Sequence, residues 1–366
     1  MKIKEIIEVL DNLAPPSYQE SYDNAGLLTG DSSLECTGII CTLDATEEVL
    51  LEAKRKGCNL VVAHHPIIFS GLKKITGKNY VERAVITAIK NDIAIYAIHT
   101  NLDNLLSGVN GRMADKLNLQ NRQVLLHKQN NLMKLIVFVP VADAEKVREA
   151  IFKAGGGSIG KYTECSFNAT GKSTFTPGEG TNPHTGEAGK REETNEERIE
   201  IIFPVYLKEK LLTAMTEAHP YEEVAYDIIA LANYFQEVGS GLIGELAEPM
   251  ETTSFLKLLK QEFHLEVIRH TPLVKKEVKK IALCGGAGSF LIKTALSAGA
   301  DVFITGDVKY HEFFDCEDRM IVTDIGHWES EQFTVDLLHE VLHSKFPTFA
   351  VLKSEVKTNP VNYFTS

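Results

Sequence analysis

The apolar positions of the chain fall into two rhythms, one helical and one of short buried strands. Ile3, Ile6, Ile7, Leu10 and Leu13 recur on one helix face, and Pro15 and Pro16 stop the run. From Gly38 the rhythm alternates. "GIICTLD" reads as a strand, "ATEEVLLEAKRKG" as a helix and "NLVVA" as a strand. "YVERAVITAIKND" is a second helix and "IAIYAIHT" a third strand. Thr46 marks a helix start and Gly57 a helix stop. Strands alternating with helices predict a largely parallel sheet covered by helices.

The pattern changes near His127. "NLMKLIVFVPV" is a strand, "DAEKVREAIFKAGG" a helix and "KYTECSFNATGKSTFTPG" a hairpin, followed by the polar stretch "GEGTNPHTGEAGKREETNEE", which reads as a mobile loop tip. "RIEIIFPVY", "KEKLLTAMTEA" and "VAYDIIALA" then give strand, helix, strand. The order β-α-β-β-α-β predicts a ferredoxin-like domain over residues 128–234. After it the α/β rhythm returns in "EVKKIALCGG", "AGSFLIKTALSAG", "ADVFITGDVKYHEFF" and "RMIVTDIGHWESEQF". "EAKRKGCNLVVAHHP" lies against "TALSAGADVFITGDV" in pattern, and "AIHTNLD" against "IVTDIGH". The expectation is an α/β protein of two similar halves, 1–127 and 235–366. Their mixed, mostly parallel sheets face a shared cleft, with the 128–234 domain inserted between them.

Chemistry collects where apolar strands end, which is where open α/β sheets place ligands. His64 and His65 close "NLVVAHHP", His99 and Asp103 follow the next strand, and His327 and Glu331 sit at i,i+4 in "GHWESE". If a helix starts at Gly326 or His327, that spacing puts both side chains on one face. His, His, Asp, His and Glu form an imidazole–carboxylate set suited to zinc, iron or manganese. Five donors exceed the needs of one tetrahedral ion and suit two, which at ~3.5–4 Å apart clamp a substrate oxygen and hold a hydroxide between them. His99 is either a proton-moving catalytic group or a buried imidazole bonded to a carbonyl. Asp44 either orients a ligand His or belongs to a helix-capping loop. Asp23 and Asn24 read as a turn, and Asp307 and His311 as a cavity rim. "CGGAGS" is a tight strand-to-helix turn, with phosphate binding as the secondary reading, because it lacks the Gly-rich phosphate-loop spacings. Trp328 packs over the motif or stacks on a base. His184 and His219 read as structural or solvated.

Bulk properties narrow the function. The 366 residues carry a formal charge of −12, which argues against a non-specific nucleic-acid partner. No apolar run reaches the ~20 residues of a membrane helix, and the N-terminal stretch reads as an amphipathic helix rather than a signal peptide. The six cysteines form no C-x-x-C pair, which fits a reducing cytoplasm and leaves metal binding to His and carboxylates.

The stretches "YDNAGLLTG", "LDATEEVLLEA", "VVAHHPIIF", "IHTNLDN", "TGDVKYHE", "TDIGHWESE" and "KSEVKTNPVNYF" together resemble the Nif-three-like proteins, also called GTP cyclohydrolase 1 type 2 homologs. The resemblance implies a dinuclear metal centre on His64, His65, Asp103, His327 and Glu331, a PII-like identity for the inserted domain, and a toroidal homohexamer. With the residues, it leads to a metal-dependent hydrolase with a small nucleotide-like substrate, the specific version being GTP ring opening. The alternative is a non-enzymatic metal-binding regulatory or scaffold assembly with the inserted domain as sensor.

Overall fold

A computed structural model describes residues 1–364, and the chain forms two compact units. One is built from residues 1–127 and from 237 onward, the other from residues 128–236.

In chain order the first unit begins with β1 (Gly26–Thr29), β2 (Ile39–Asp44), β3 (Leu60–His65), β4 (Ala94–Ala97) and β5 (Gln120–His127). The second unit holds β6 (Leu132–Pro140), β7 (Phe167–Phe175), β8 (Glu192–Pro204) and β9 (Tyr226–Ala230). The first unit resumes with β10 (Gly239–Glu251), β11 (Arg269–His270), β12 (Glu277–Ala287), β13 (Val302–Gly306), β14 (Ile321–Asp324) and β15 (Val351–Lys353).

The first sheet runs β1-β4-β3-β2-β15, parallel except for β1. Alternation along each strand gives both faces a core. Ile39, Cys41, Leu60, Val62 and Tyr96 pack with the helices Ile3–Leu13 and Thr334–Lys345. Ile40, Val61, Ala63 and Ile95 pack with Glu47–Arg55 and Tyr80–Lys90. A sheet covered on both faces explains why its strands read as unbroken apolar runs.

The second sheet runs β11-β14-β13-β12-β10-β5. It is parallel only across β12-β13-β14, while β5, β10 and β11 pair antiparallel, so "mostly parallel" describes the first sheet and not the second. β5 and β10 flank the 128–236 segment and meet as antiparallel neighbours, a pairing that adjacent apolar runs do not announce. The fold is mixed α/β. No helix among the described residues is long and apolar enough to cross a membrane.

The C-terminal segment crosses over. Helix Thr334–Lys345 follows the second sheet, yet Leu337, Leu338 and Leu342 lie in the first sheet's core, and β15 pairs with β2. In the 128–236 unit the strand order is β7-β8-β6-β9, antiparallel throughout, around Leu135, Val137, Val147, Ile151, Phe203 and Leu211. The expected hairpin near 161–178 is a single strand, β7, whose partner β8 starts at Glu192, inside the stretch that reads as loop.

Because Leu338 is fully buried where the crossing helix meets the first sheet, Leu338→Ala is expected to cost about 2–5 kcal/mol in urea unfolding of the metal-free chain. A loss below about 1 kcal/mol would show that this helix is not part of the cooperative core.

Candidate metal centre

Each imidazole at the strand ends is fixed through Nδ1. β2 and β3 are in register at Asp44 and His65, so the Asp44 carboxylate meets His65 Nδ1 at 2.8 Å. His64, fully buried, donates from Nδ1 to the carbonyl of Ile98 at 2.8 Å. His327 opens the helix His327–Glu331, and its Nδ1 meets Asp307, the residue after β13, at 2.8 Å. His99 meets the Asp23 carboxylate at 2.8 Å, and Asp23 also accepts from the backbone N–H of Thr100 at 3.0 Å. A carbonyl or carboxylate can only accept, so Nδ1 carries a proton in all four rings, and Nε2 is the nitrogen that remains for a second proton or a cation.

The freed Nε2 atoms of His64, His65 and His327 converge on Glu331. Its Oε2 lies 2.9 Å from His65 Nε2 and 3.2 Å from His327 Nε2, while its Oε1 lies 3.9 Å from His64 Nε2. Asp103, in the short helix Thr100–Asp103, sets Oδ1 at 3.4 Å from His64 Nε2. The donors form three groups: His65, His327 and Glu331; His64, Asp103 and Glu331; and His64, His65 and His99, the donor atoms of each lying within 4.8 Å of one another. His64 Nε2 and Asp103 Oδ1 are buried without a hydrogen-bond partner. The Nε2 atoms of His65 and His327 face each other at 3.3 Å. Buried polar atoms without partners and two ring nitrogens turned on each other are costly unless a proton or a cation bridges them. This donor set therefore fits divalent metal, and two of its groups share Glu331.

The electrostatics follow from burial against opposite charge. Burial draws the His65 pKa down, but Asp44 and Glu331 outweigh it and hold it at about 10. Burial does the same at His327, where Glu331 and Asp307 prevail and lift it to about 9. His64 is raised too, against burial, by Asp103 and Glu331. Glu331 is pushed up by burial and carried well below its ordinary value by the imidazoles. Burial lifts Asp103 above the usual carboxylate range against the pull of His64. Asp23 falls to about 2, because His99 and Thr100 overcome its burial.

The contacts decide several readings that the sequence leaves open or does not announce. Asp44 orients His65, and the following helix is capped instead by Thr46, whose hydroxyl accepts from Val49 N–H. Asp23 is more than a turn residue, since its carboxylate holds His99. Thr358, far along the chain, donates to Asp44 at 2.6 Å and accepts from the Trp328 indole at 3.3 Å, so Trp328 steadies the Asp44–His65 pair. In "CGGAGS" the amides of Gly285, Gly286 and Gly288 are taken by Asn110, Ser330 and Thr305, which leaves none of the three for a phosphate. Gly286 (φ +63°) is needed for another reason, because a Cβ there would stand 2.3 Å from Glu331 Oε1. His311 is exposed and joins none of the donor groups. Beside the centre lies a cavity of about 460 Å³, lined by His65, His327, Asp307, Trp328, Arg269 and Tyr363 among others.

A mixed α/β chain that gathers imidazoles and carboxylates in this way is a candidate metalloprotein. The Duf34/NIF3 (NGG1p interacting factor 3) family description matches residues 1–360, and the chain belongs to that family. It is 39% identical over 363 residues to the GTP cyclohydrolase 1 type 2 homolog of Halalkalibacterium halodurans, covering 98% of each chain. To the Bacillus subtilis protein of the same name it is 36% identical over 366 residues, again covering 98% of each. The crystal structure of a Bacillus cereus protein related to NIF3 superposes with a TM-score of 0.88 at 37% identity, over 100% of this chain and 99% of that one.

Two measurements bear on the centre. The His65 and His327 pKa values are raised in the folded state, so their contribution to metal-free stability is full below the unfolded value and is lost as pH climbs toward about 9–10. Metal requires the deprotonated rings, so the gain in Tm on adding Mn²⁺ to chelator-treated protein should widen from about pH 6 to about pH 8.5. A gain that shrinks over that range would rule out these imidazoles as ligands. Asp44→Asn should weaken metal affinity by roughly 10–100-fold through misorientation of His65, read by competition with a chromogenic chelator; unchanged affinity would deny Asp44 that role.

Proposed function

We propose that the chain is a dinuclear-metal-dependent hydrolase of a small, nucleotide-like substrate. The observation that carries this reading is the sharing of Glu331 between the His65–His327 group and the His64–Asp103 group. The ligands are then His64, His65, Asp103, His327 and Glu331, and the two divalent ions are zinc, iron or manganese. Such ions, when bound, polarise a substrate oxygen and make water nucleophilic near neutral pH.

The chain's own side chains supply the rest. His99 stands with its ring 5.3 Å and 5.5 Å from the His64 and His65 rings, its Nδ1–H held by Asp23. Its Nε2 is the base that takes a proton from the attacking water and returns it to the leaving group. Phe69, 53% exposed and edge-on to His99, offers a flat apolar face to a heterocycle. A purely structural centre would be closed by its ligands. Here the His327 side chain is 35% exposed and opens on the adjoining cavity, which favours catalysis over a scaffold.

The wider organisation belongs to the same proposal. Residues 1–127 and 235–366 form two α/β halves around a shared cleft, supported by the matching orders β4-β3-β2 and β14-β13-β12. Residues 128–234 form an inserted ferredoxin-like domain of the PII kind, supported by the order β7-β8-β6-β9. The assembly is a cytoplasmic homohexamer; six free cysteines agree with a reducing compartment.

The relatives' name, GTP cyclohydrolase 1 type 2 homolog, makes GTP ring opening the first reaction to test. Metal-replete protein should consume GTP, and His64→Ala should lose both metal and turnover. His99→Ala should keep its metal, measured by plasma mass spectrometry, while kcat falls about 10²–10⁴-fold. No turnover of GTP by folded, metal-replete protein would remove the GTP version. Full activity in His99→Ala would remove the proton-transfer role.

A further inference from the structure

The 128–236 unit has a cavity of its own, about 420 Å³, within the range of small-molecule sites. Its walls come from the end of β7, the start of β8 and the turn after helix Lys208–Ala218. That turn is locked. Tyr221 N–H donates to His219 Nδ1 at 3.1 Å, so the His219 proton sits on Nε2 and is donated to the Phe138 carbonyl at 3.0 Å. Pro220 stiffens the link between them. The Tyr221 ring is thereby placed at the middle of an aromatic group. Phe175 lies 6.1 Å from it, His184 5.9 Å and His219 5.1 Å, centroid to centroid.

Glu196 stands at this aromatic wall and is only 6% exposed. Its Oε1 accepts from the Tyr221 hydroxyl at 2.9 Å and from the Thr194 hydroxyl at 3.4 Å. Its Oε2 has no hydrogen-bond partner, and the carboxylate no ion-pair partner, among the described residues. Buried carboxylates are ordinarily paired with a cation or fully hydrogen-bonded, and this one is neither. The cavity lining adds Glu222 and Glu223 and contains no Lys or Arg. An anion such as a phosphate has nothing there to neutralise it. A metal ion is equally poorly served, because every group of three or more His, Cys, Asp or Glu donors found among the described residues lies at the Glu331 centre.

Aromatic faces around an unpaired buried carboxylate are the complement of an organic cation. We propose that this cavity binds a small organic cation, an ammonium or guanidinium compound, whose charged head pairs with Glu196 and lies against the Tyr221 and Phe175 rings. The site is independent of the metal centre and of the reaction assigned to it.

The test is calorimetric titration of the full-length protein with choline, spermidine and agmatine, with AMP and Zn²⁺ as contrasting probes. At least one of the three cations should bind with Kd below about 1 mM, a modest affinity for a site of this size. Glu196→Gln keeps an acceptor for Tyr221 and should weaken that binding at least about tenfold. Phe175→Leu, which removes only one aromatic face, should weaken it about two- to tenfold. Thermal melts matching the parent protein confirm that both variants are folded. The proposal is overturned if none of the three cations binds, or if both variants bind the cation as tightly as the parent. Binding of AMP or Zn²⁺ that depends on Glu196, in the absence of cation binding, overturns it as well.

Discussion

Glu331 is a carboxylate almost wholly removed from water, and its nearest imidazole partner, His65, lies 266 positions away along the chain. An unpaired carboxylate in that place would be several kcal/mol out of balance. The rest of the core can be understood as what keeps the pairing intact. β3 delivers two imidazoles at its C-terminal end, and the five-residue helix His327–Glu331 returns a third together with the carboxylate. Gly286 leaves out a side chain so that Glu331 Oε1 can approach the backbone. Directly after the site, helix Thr334–Lys345 carries the chain into the core of the first sheet and β15 pairs with β2. That crossing ties the carboxylate of one sheet to the histidines of the other by packing, before any ion is considered.

A second layer decides what the imidazoles can do. Each of the four rings spends its Nδ1 proton on an acceptor that the fold holds for it: Ile98 carbonyl, Asp44, Asp23 or Asp307. These acceptors take the Nδ1 proton, so Nε2 is the nitrogen turned inward, where a cation can displace its proton. Asp307 does this from left-handed backbone (φ +54°), a conformation few residues other than glycine or Asn and Asp adopt readily. Thr358 and Trp328 extend the layer by fixing Asp44, so the C-terminal residues belong functionally to the His65 strand.

The gathering of these imidazoles and carboxylates was legible in the sequence because strand ends and an i,i+4 pair leave local marks: an apolar run that stops on polar side chains, and a helix start at Gly326. The strand–helix–strand–strand–helix–strand order of the inserted segment was legible for the same reason, since two periods alternate over short spans. The supporting layer was not. Asp23 and Thr358 have ordinary neighbours in sequence, and their roles arise only from contacts across 76 and 314 positions, as that of Gly286 arises from the approach of Glu331. Antiparallel pairing of β5 with β10 was hidden in the same way, because the partners are separated by the 128–236 segment. Alternation tells which face of a strand is buried, not which strand it will meet.

That separation also explains why a long segment is tolerated where it stands. β5 ends and β10 begins as register partners, His127 opposite Gly239, so the core holds the two ends together as neighbours in one sheet. Closing a loop between ends already paired costs entropy that grows only as the logarithm of loop length. The segment's size and content are therefore free to vary while Val124 and Leu242 stay opposite each other. The freedom stops at the return. Gly239 N–H donates to the Asn104 carbonyl, and Ser240 donates to the Asn104 side chain. Asn104 in turn donates to the Tyr18 carbonyl and to Glu20. The strand that resumes the core is thus stitched to the residue next to Asp103, and the position of that carboxylate depends on where the chain comes back rather than on what it does in between.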